Sequence, residues 1–315
     1  MLIKQLEYLA ALARERHFAR AAAACGVTQP TLSAGIKQLE ETVGVLIVQR
    51  GQRFRGLTPE GERVLSWARR VLGDYESLTQ ELSALGHGLV GRLRIGAIPT
   101  MLPLISLLTT PFAAQHPRVT LTVLSLTSAE IQRGLDAFEL EAGLTYLDNE
   151  PPSRVRTLPL YRERYLLLTP AEGPCGGRDT VTWREAAALP LCLLTPDMQN
   201  RRIVDAQFRA AGITAQPAIE TNSLITVCSH LRTKRWSTVL PHTALYLVAE
   251  FPGLRAIPLV EPGAEQAVGL IVPERDPLPP AAQALLAVAG TLDLAGALER
   301  EIAPAPPRAR RARAR

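Results

Sequence analysis

The sequence predicts an α/β protein whose head is three short helices and a small hairpin, and three observations carry that prediction. Residues 1–58 read as short amphipathic helices, two of them separated by a brief break that contains a glycine. Residues 59–85 carry an apolar seam along one long helix. From Arg92 onward, short apolar strands alternate with helical patterns, the arrangement of an α/β body.

In the head, Leu2, Leu6, Leu9 and Ala13, flanked by Ile3 and Ala10, put one apolar face on a first helix. Residues 18–24 form a second. Thr28 can cap a third, and Pro30 is tolerated in its first turn, where a missing N–H costs nothing. Leu32, Ile36, Leu39 and Val43 make that helix's buried stripe. Ala22 is small enough for the third helix to cross close by, and Gly26 supplies the turn conformation. Such a helix-turn-helix presents the N-terminal end of its second helix to the major groove. Pro30, Thr31, Ala34, Lys37 and Gln38 lie away from the stripe, flanked by Gln29 and Ser33. Gln29 can reach adenine, the hydroxyls of Thr28, Thr31 and Ser33 can read base edges or phosphates, and Lys37 suits phosphate or guanine. The stretch "VLIVQRGQRFRGL" reads as a small hairpin whose Arg50, Arg53 and Arg55 would grip the flanking backbone. A plain helical hairpin with a polar surface is the alternative; the basic hairpin beside it favours DNA.

Thr58 followed by Pro59 is a strong helix start. From there Val64, Ala68, Val71, Tyr75, Leu78, Leu82 and Leu85 recur in alternating steps of four and three, a heptad seam. Alone in water this stripe would be exposed, so the helix is expected to pair with a second copy; packing against its own domain is the alternative. The following "GHGLVG" matches G-x-G-x-x-G, but a helix precedes it and a strand follows. The dinucleotide fingerprint requires the reverse order, so this is expected to be a linker and no cofactor is implied. In the body, strands are expected at 93–98, 120–126, 142–145, 165–168, 191–194, 218–221, 238–240 and 268–272. Helical patterns fall between them at 102–115, 128–138, 201–211 and 223–232.

At 315 residues there is room for two or three domains of roughly 100–200 residues. No apolar run reaches the ~18 residues of a transmembrane helix, and the opening "MLIKQLEYLAALARERHF" does not look like a signal peptide. A cytoplasmic location, with no membrane partner, is the expectation. The formal charge of +5 is uneven. Residues 1–58 hold eight Lys/Arg against four Asp/Glu, and the tail 304–315 holds five Arg and no acid, which leaves 59–303 at −4. A basic head on an acidic body suits a polyanion such as double-stranded DNA. The tail "PAPPRARRARAR" is too rich in Pro and Arg to pack and is expected to be disordered.

Enzymatic motifs are missing. The five histidines form no H-E-x-x-H, and neither G-x-S-x-G nor a Walker sequence occurs, so no catalytic residue and no metal site is expected. A solute-binding protein fits residues 92–303 but leaves the basic head unexplained. Of the four cysteines, Cys192 lies in the apolar run "LPLCLLT" and reads as buried. Cys175, in the loop "EGPCGGR", is expected to be the exposed one, and a thiol-based redox sensor is therefore the alternative mechanism.

The strings "FARAAAACGVTQPTLSAGIKQLEETVGVLIVQR", "LTPEGERVL" and "GRLRIGAIPT" resemble LysR-type transcriptional regulators. The resemblance runs from about Leu2 to Ala303. It implies a winged helix-turn-helix (1–58), a dimerising linker helix and hinge (59–91), and a two-lobed effector domain like type 2 periplasmic binding proteins (92–303). Two crossover strands would make lobe I discontinuous, at 92–164 and 266–303, with lobe II at 165–265. The resemblance further implies a homodimer that assembles to a tetramer, and RNA polymerase as a partner if the protein activates. One departure is visible: many members carry a basic residue after the serine of "QPxLS", where this chain has Ala34-Gly35.

In a domain of this kind the ligand lies between the lobes, where free N–H groups of helix starts suit a small carboxylate or inorganic anion. Thr100, Ser128, Thr195 and Asn222 stand at such positions, though each also reads as a cap or turn residue. Lys234, Arg235 and Trp236 replace the small residues that members often have before the strand ending in Leu240-Pro241, and Trp236 would narrow the cleft. The strings "GLTYLDNEP", "LPLYRERYLLLTP" and "LCLLTPDMQNRRI" are similar to members that accompany formate dehydrogenase operons, which makes formate a candidate effector.

Overall fold

The computed structural model describes residues 3–49, 54–248 and 251–302. The head packs α1 (Ile3–Glu15), α2 (Phe18–Ala24) and α3 (Gln29–Val43) around Leu9, Leu12, Leu32 and Leu39, none of which is exposed. Gly26 sits at φ +65°, a left-handed conformation that costs glycine least, and lets α3 restart across α2. Thr28 caps α3 by accepting from the Thr31 N–H. Val43, expected in the stripe, is 36% exposed, because α3 ends there at Gly44 in a left-handed cap. A Cβ on Gly35 would lie 2.6 Å from the Tyr8 ring, so its absence lets α1 press against α3, whereas Ala34, where the basic residue of the family's motif is missing, is exposed. Behind α3, Val48 and Leu57 bridge antiparallel and the Gln49 N–H donates to the Gly56 carbonyl, the base of the expected hairpin. Its tip, with Arg50 and Arg53, lies outside the described residues.

The long helix α4 (Pro59–His87) starts as expected, with the Thr58 hydroxyl accepting from the Gly61 N–H. A Cβ on Gly61 would stand 2.1 Å from the Ile47 carbonyl oxygen, so only glycine lets the helix lie this close to the hairpin. The 4-3 seam divides. Val64, Ala68 and Val71 pack with Leu6, Leu9 and Leu65 in the head, as the own-domain alternative requires. Tyr75, Leu78 and Leu82 are 50, 52 and 60% exposed, and Trp67 is 64% exposed. Since α4 extends to His87, the expected linker at 86–91 is shortened to residues 88–90, with Gly86 and His87 ending the helix and Gly91 starting the first strand of the body.

The body contains β1 (Gly91–Ala97), a 3₁₀ turn (Leu102–Leu104), α5 (Ile105–Gln115), β2 (Val119–Ser125), α6 (Ser128–Asp136), β3 (Ala142–Tyr146) and β4 (Val155–Pro170). Then come β5 (Val181–Thr182), α7 (Trp183–Ala187), β6 (Cys192–Leu194), α8 (Gln199–Ala210), β7 (Ile219–Thr221), α9 (Leu224–Arg232) and β8 (Thr238–Pro241). After a second 3₁₀ turn (His242–Ala244) follow α10 (Leu245–Val248), β9 (Leu254–Val260), β10 (Glu265–Pro273), α11 (Pro280–Thr291) and α12 (Leu294–Ile302). The larger sheet runs β2-β1-β3-β10-β4-β9-β5, with β8 also on β4; β6 and β7 form a parallel pair. The parallel β2-β1-β3 set is one lobe's core.

The second lobe is reached along β4. Its first part pairs with β10 as far as Arg164, and from Tyr165 onward it pairs with β8 and β9. The strand expected at 165–168 is thus the distal third of a 16-residue crossover. Its proximal part escaped the sequence reading because "VRTLPLYRER" alternates imperfectly and contains Pro159. The strands β5 and β9 were also not foreseen.

Candidate functional site

At the head's surface, α3 exposes Gln29, Pro30, Thr31, Ala34, Lys37 and Gln38 and half-buries Ser33. Thr28 is exposed but engaged, since its Oγ1 caps the Thr31 N–H and lies 2.9 Å from the Thr31 hydroxyl. Gln38 accepts from the Gln5 side chain, which holds the middle of α3 against α1. Lys37 is 78% exposed and 3.9 Å from Glu41, a loose surface pair. Arg55 is exposed at the hairpin's returning strand. These side chains form one polar, basic-edged face.

The second concentration of polar groups lies between the lobes. A cavity of about 10 Å³ is lined by Ile98, Pro99, Thr100, Thr127, Ser128, Tyr146, Leu194, Met198, Gln199 and Asn200. That is room for about one water. Of the residues expected here, Thr100 and Ser128 line it, and Thr195 lies one residue beyond Leu194 with a buried hydroxyl that has no hydrogen-bond partner. Asn222 is exposed and lines none of it, because Ser223 rather than Asn222 caps α9. Trp236 is also away from it: it packs beside the cluster of Cys192, Leu194 and Val227, edge-on to His230 and under the Arg235 guanidinium. It therefore does not narrow this cavity.

Two helix starts face the cavity and differ in one respect. The start of α6 is closed by a capping box, with Thr127 accepting from the Glu130 N–H and the Glu130 carboxylate accepting from the Thr127 N–H. The start of α8 has no side-chain cap: Met198 precedes it. Its first-turn N–H groups have no intrahelical partner. Beside them Gln199 is 2% exposed, and neither its carbonyl oxygen nor its amide nitrogen finds a partner. The Ser128 hydroxyl accepts from Thr145, which leaves its own proton free to donate.

A hydrogen-bonded chain ties the lobes behind this wall. The Asn200 amide donates to the Tyr146 hydroxyl (3.2 Å), which lies 3.2 Å from the Thr100 hydroxyl and donates to Glu163 (2.9 Å). Tyr161 donates to the other oxygen of Glu163 at 3.1 Å. Glu163 is fully buried, and burial pushes its carboxyl up to about 7 despite the two tyrosine hydrogen bonds. Burial also pushes the hydroxyls of Tyr146, Tyr161 and Tyr165 well above the usual tyrosine range, so they are proton donors at neutral pH. Arg201, next along α8, is also buried, yet it is fully paired: it donates to Asp205 (2.8 Å), Glu220 (2.6 Å) and the Leu194 carbonyl (2.7 Å).

Tyr146, Glu163, Gln199 and Asn200 were not singled out from the sequence. The expected start of α8 at 201 was two residues late, and an earlier start would have placed Gln199 and Asn200 in the first turn. Nothing local marks Glu163, which sits in the charged string "YRERY".

All four cysteines have thiols pushed up first by burial: Cys25, Cys175, Cys228, and Cys192 to about 11. Cys175, expected to be exposed, is 5% exposed, because Gly176 folds back until a Cβ there would stand 2.0 Å from the Ala171 carbonyl. Among the described residues no cluster of His, Cys, Asp and Glu has the arrangement of a metal site. No single helix there is long and apolar enough to cross a membrane.

Comparison with known families decides the wider assignment. Residues 3–62 match the bacterial regulatory helix-turn-helix domain of the lysR family, and residues 86–292 match the LysR substrate binding domain. The chain belongs to the LysR family. It is thus a DNA-binding transcriptional regulator with an effector-binding domain, not an enzyme. A "probable hydrogen peroxide-inducible genes activator" of Streptomyces viridosporus is 35% identical over 77% of this chain and 78% of its own length. The dual regulator OxyR of Escherichia coli K12 is 29% identical over 88% and 91%. Among solved structures, a full-length cysteine variant of OxyR from Pseudomonas aeruginosa matches with TM-score 0.75 and 28% identity, over 93% of this chain and 96% of that one. Full-length CbnR with its target DNA matches in fold, with TM-score 0.66 and 21% identity over 92% and 99%.

Proposed function

We propose that this regulator reads operator DNA with Gln29, Thr31, Ser33 and Lys37 of α3, braced by Arg55, and that a small anion entering between the lobes at Thr100, Ser128, Gln199 and Asn200 modulates it. Arg50 and Arg53, in the hairpin stretch, are assigned to the DNA backbone from their sequence position. The exposed Tyr75, Leu78 and Leu82 suit pairing of α4 with a second copy, which would hold two half-sites at once. A protein with a DNA operator belongs in the cytoplasm.

One observation carries the ligand reading: the uncapped start of α8 faces a cavity in which the buried Gln199 amide has no partner. Buried polar groups are seldom left unpaired, and exceptions mark places where something else binds. A helix start and free hydroxyl protons suit a negative oxygen. Because the cavity holds only about one water, an anion of several atoms enters with the lobes parted and stabilises a different spacing of them. Formate is the smallest carboxylate that fits this description and remains the candidate suggested by the resemblance to regulators of formate dehydrogenase operons.

The test is a calorimetric titration of formate, acetate, nitrate and sulfate into the full chain, followed by footprinting on operator DNA. Thr100→Val keeps the shape and removes the hydroxyl, so it should abolish the response and leave unliganded DNA binding intact. A coupling of ~1–3 kcal/mol would change operator affinity several-fold to a hundredfold. Equal anion affinity in wild type and variant would place the site elsewhere.

The peroxide-inducible relatives favour a second reading, a thiol switch. Against it, burial disfavours the thiolate at every cysteine. Treatment with hydrogen peroxide that changes neither protein mass nor footprint would dismiss it; a reversible mass change coupled to a new footprint would establish it.

A further inference from the structure

We propose that Glu163 is a positioning residue that makes anion binding in the cleft proton-coupled: the site takes up its anion together with one proton from solvent. This rests on the reading of the cleft as an anion site. The argument begins with the surroundings of the carboxylate. Glu163 lies on the crossover strand β4 with no exposure, and its two oxygens take the protons of Tyr146 and Tyr161. The groups facing it are Tyr161 and Tyr165 from its own strand, Tyr146 from β3 and, beyond Tyr161, the ring of His242 at 6.5 Å from that tyrosine. Burial and Arg164 keep His242 below the usual histidine range, hence neutral. From α8 the neutral Asn200 reaches Tyr146. The neighbouring Arg162 and Arg164 point to the opposite face of the strand, where they pair with Glu265 and Glu299. Among the described residues no cation compensates this carboxylate.

The consequence for the cavity follows from counting protons. Tyr146 has a single hydroxyl proton and gives it to Glu163, so toward the cavity and toward Asn200 it offers only lone pairs. An anion there meets an acceptor, with an uncompensated negative charge one hydroxyl behind it. At a separation of roughly 5–6 Å, two hydrogen-bond lengths, the repulsion at an effective dielectric of ~20 shifts a proton equilibrium by roughly a hundredfold. Taking one proton from solvent removes the conflict. The new Glu163 hydroxyl donates to the Tyr146 oxygen, and Tyr146 turns its own proton into the cavity toward the anion. The complex then carries the same net charge as the unliganded protein. With its carboxyl already held at about 7, Glu163 is poised to accept that proton near neutral pH.

Formate titrated into the full chain at pH 8, in Tris and in HEPES, reads the proton directly, because the two buffers differ in ionisation enthalpy. The expected result is uptake approaching one proton per formate, and an affinity that falls roughly fivefold per pH unit from about pH 7 to about pH 9 and levels off above that. In Glu163→Gln, uptake should vanish and the affinity should become independent of pH. Formate binding to wild type without proton uptake, or uptake that persists in Glu163→Gln, overturns this proposal and leaves the anion site standing. Failure of formate and of the other three anions to bind overturns both.

Discussion

Two helices of this chain begin at the faces proposed to meet DNA and an anion, and they begin in opposite ways. The start of α3 is on the surface and complete in itself: Thr28 caps it, Pro30 removes a donor, and the polar side chains around it are exposed. The start of α8 is buried and incomplete, with no cap and with an unpaired amide at Gln199. A helix that reads DNA presents side chains to base edges, so its own backbone is best satisfied beforehand. A helix that receives a small anion presents its backbone N–H groups, and a cap would occupy them.

Several experiments would break or sharpen this contrast. The largest expected effect is at Arg201→Met, which strands Asp205 and Glu220 beside the start of α8. Breaking a buried pair costs about 3–5 kcal/mol, and the 43% exposure of Glu220 puts this one near about 3 kcal/mol in urea unfolding. A comparable effect appears with pH behind the same helix. The Glu163 carboxyl rises from 4.5 to about 7 on folding, so the folded protein retains a proton that the unfolded chain releases. Stability from this group is full below pH 4.5 and declines as pH rises through 7, by up to about 3 kcal/mol at 1.36 kcal/mol per pH unit. Unfolding of Glu163→Gln should lack that decline.

Gln199→Leu sharpens the contrast most directly. It removes two unpaired buried polar atoms, so the unliganded protein should gain about 1–3 kcal/mol while losing its anion response. A loss of stability would mean that the amide is satisfied and that α8 is not held open. At α3 the corresponding change runs the other way: Thr28→Ala removes a cap and should cost about 1 kcal/mol. The smallest effect is Lys37→Ala, neutral for folding because its pair with Glu41 is loose. If Lys37 meets phosphate, all operator sequences weaken alike and the salt slope falls by about one.

Much of this was readable in the sequence because it rests on short-range patterns. The break at Gly26, the caps at Thr28 and Thr58, and the buried Leu32, Ile36 and Leu39 depend on neighbours within a turn or two of helix. The exposed face of α3 follows from the same periodicity. Strands with apolar runs, such as β1 and β3, were equally plain, whereas the two-residue β5 carries too little pattern to register.

What the sequence by itself determined is therefore many of the elements, the helix-turn-helix face, and two of the cavity's polar residues, Thr100 and Ser128, which sit just after a strand and at a helix start. Tertiary structure alone decided the rest. The seam of α4 splits between core and solvent because the head covers Val64 to Val71 and ends there, which no heptad count reveals. Asn222 and Trp236 do not line the cavity: Ser223 takes the cap of α9 and leaves Asn222 exposed, and Trp236 packs into the second lobe's own apolar cluster. Glu163 reads as one charge among several in "YRERY"; it becomes the single uncompensated one only when strand alternation turns Arg162 and Arg164 outward and the lobes close Tyr146 and Tyr161 over it. Local pattern specifies which groups a segment offers, while burial and partnership depend on segments far away in the chain, and it is these that set the chemistry of the cleft.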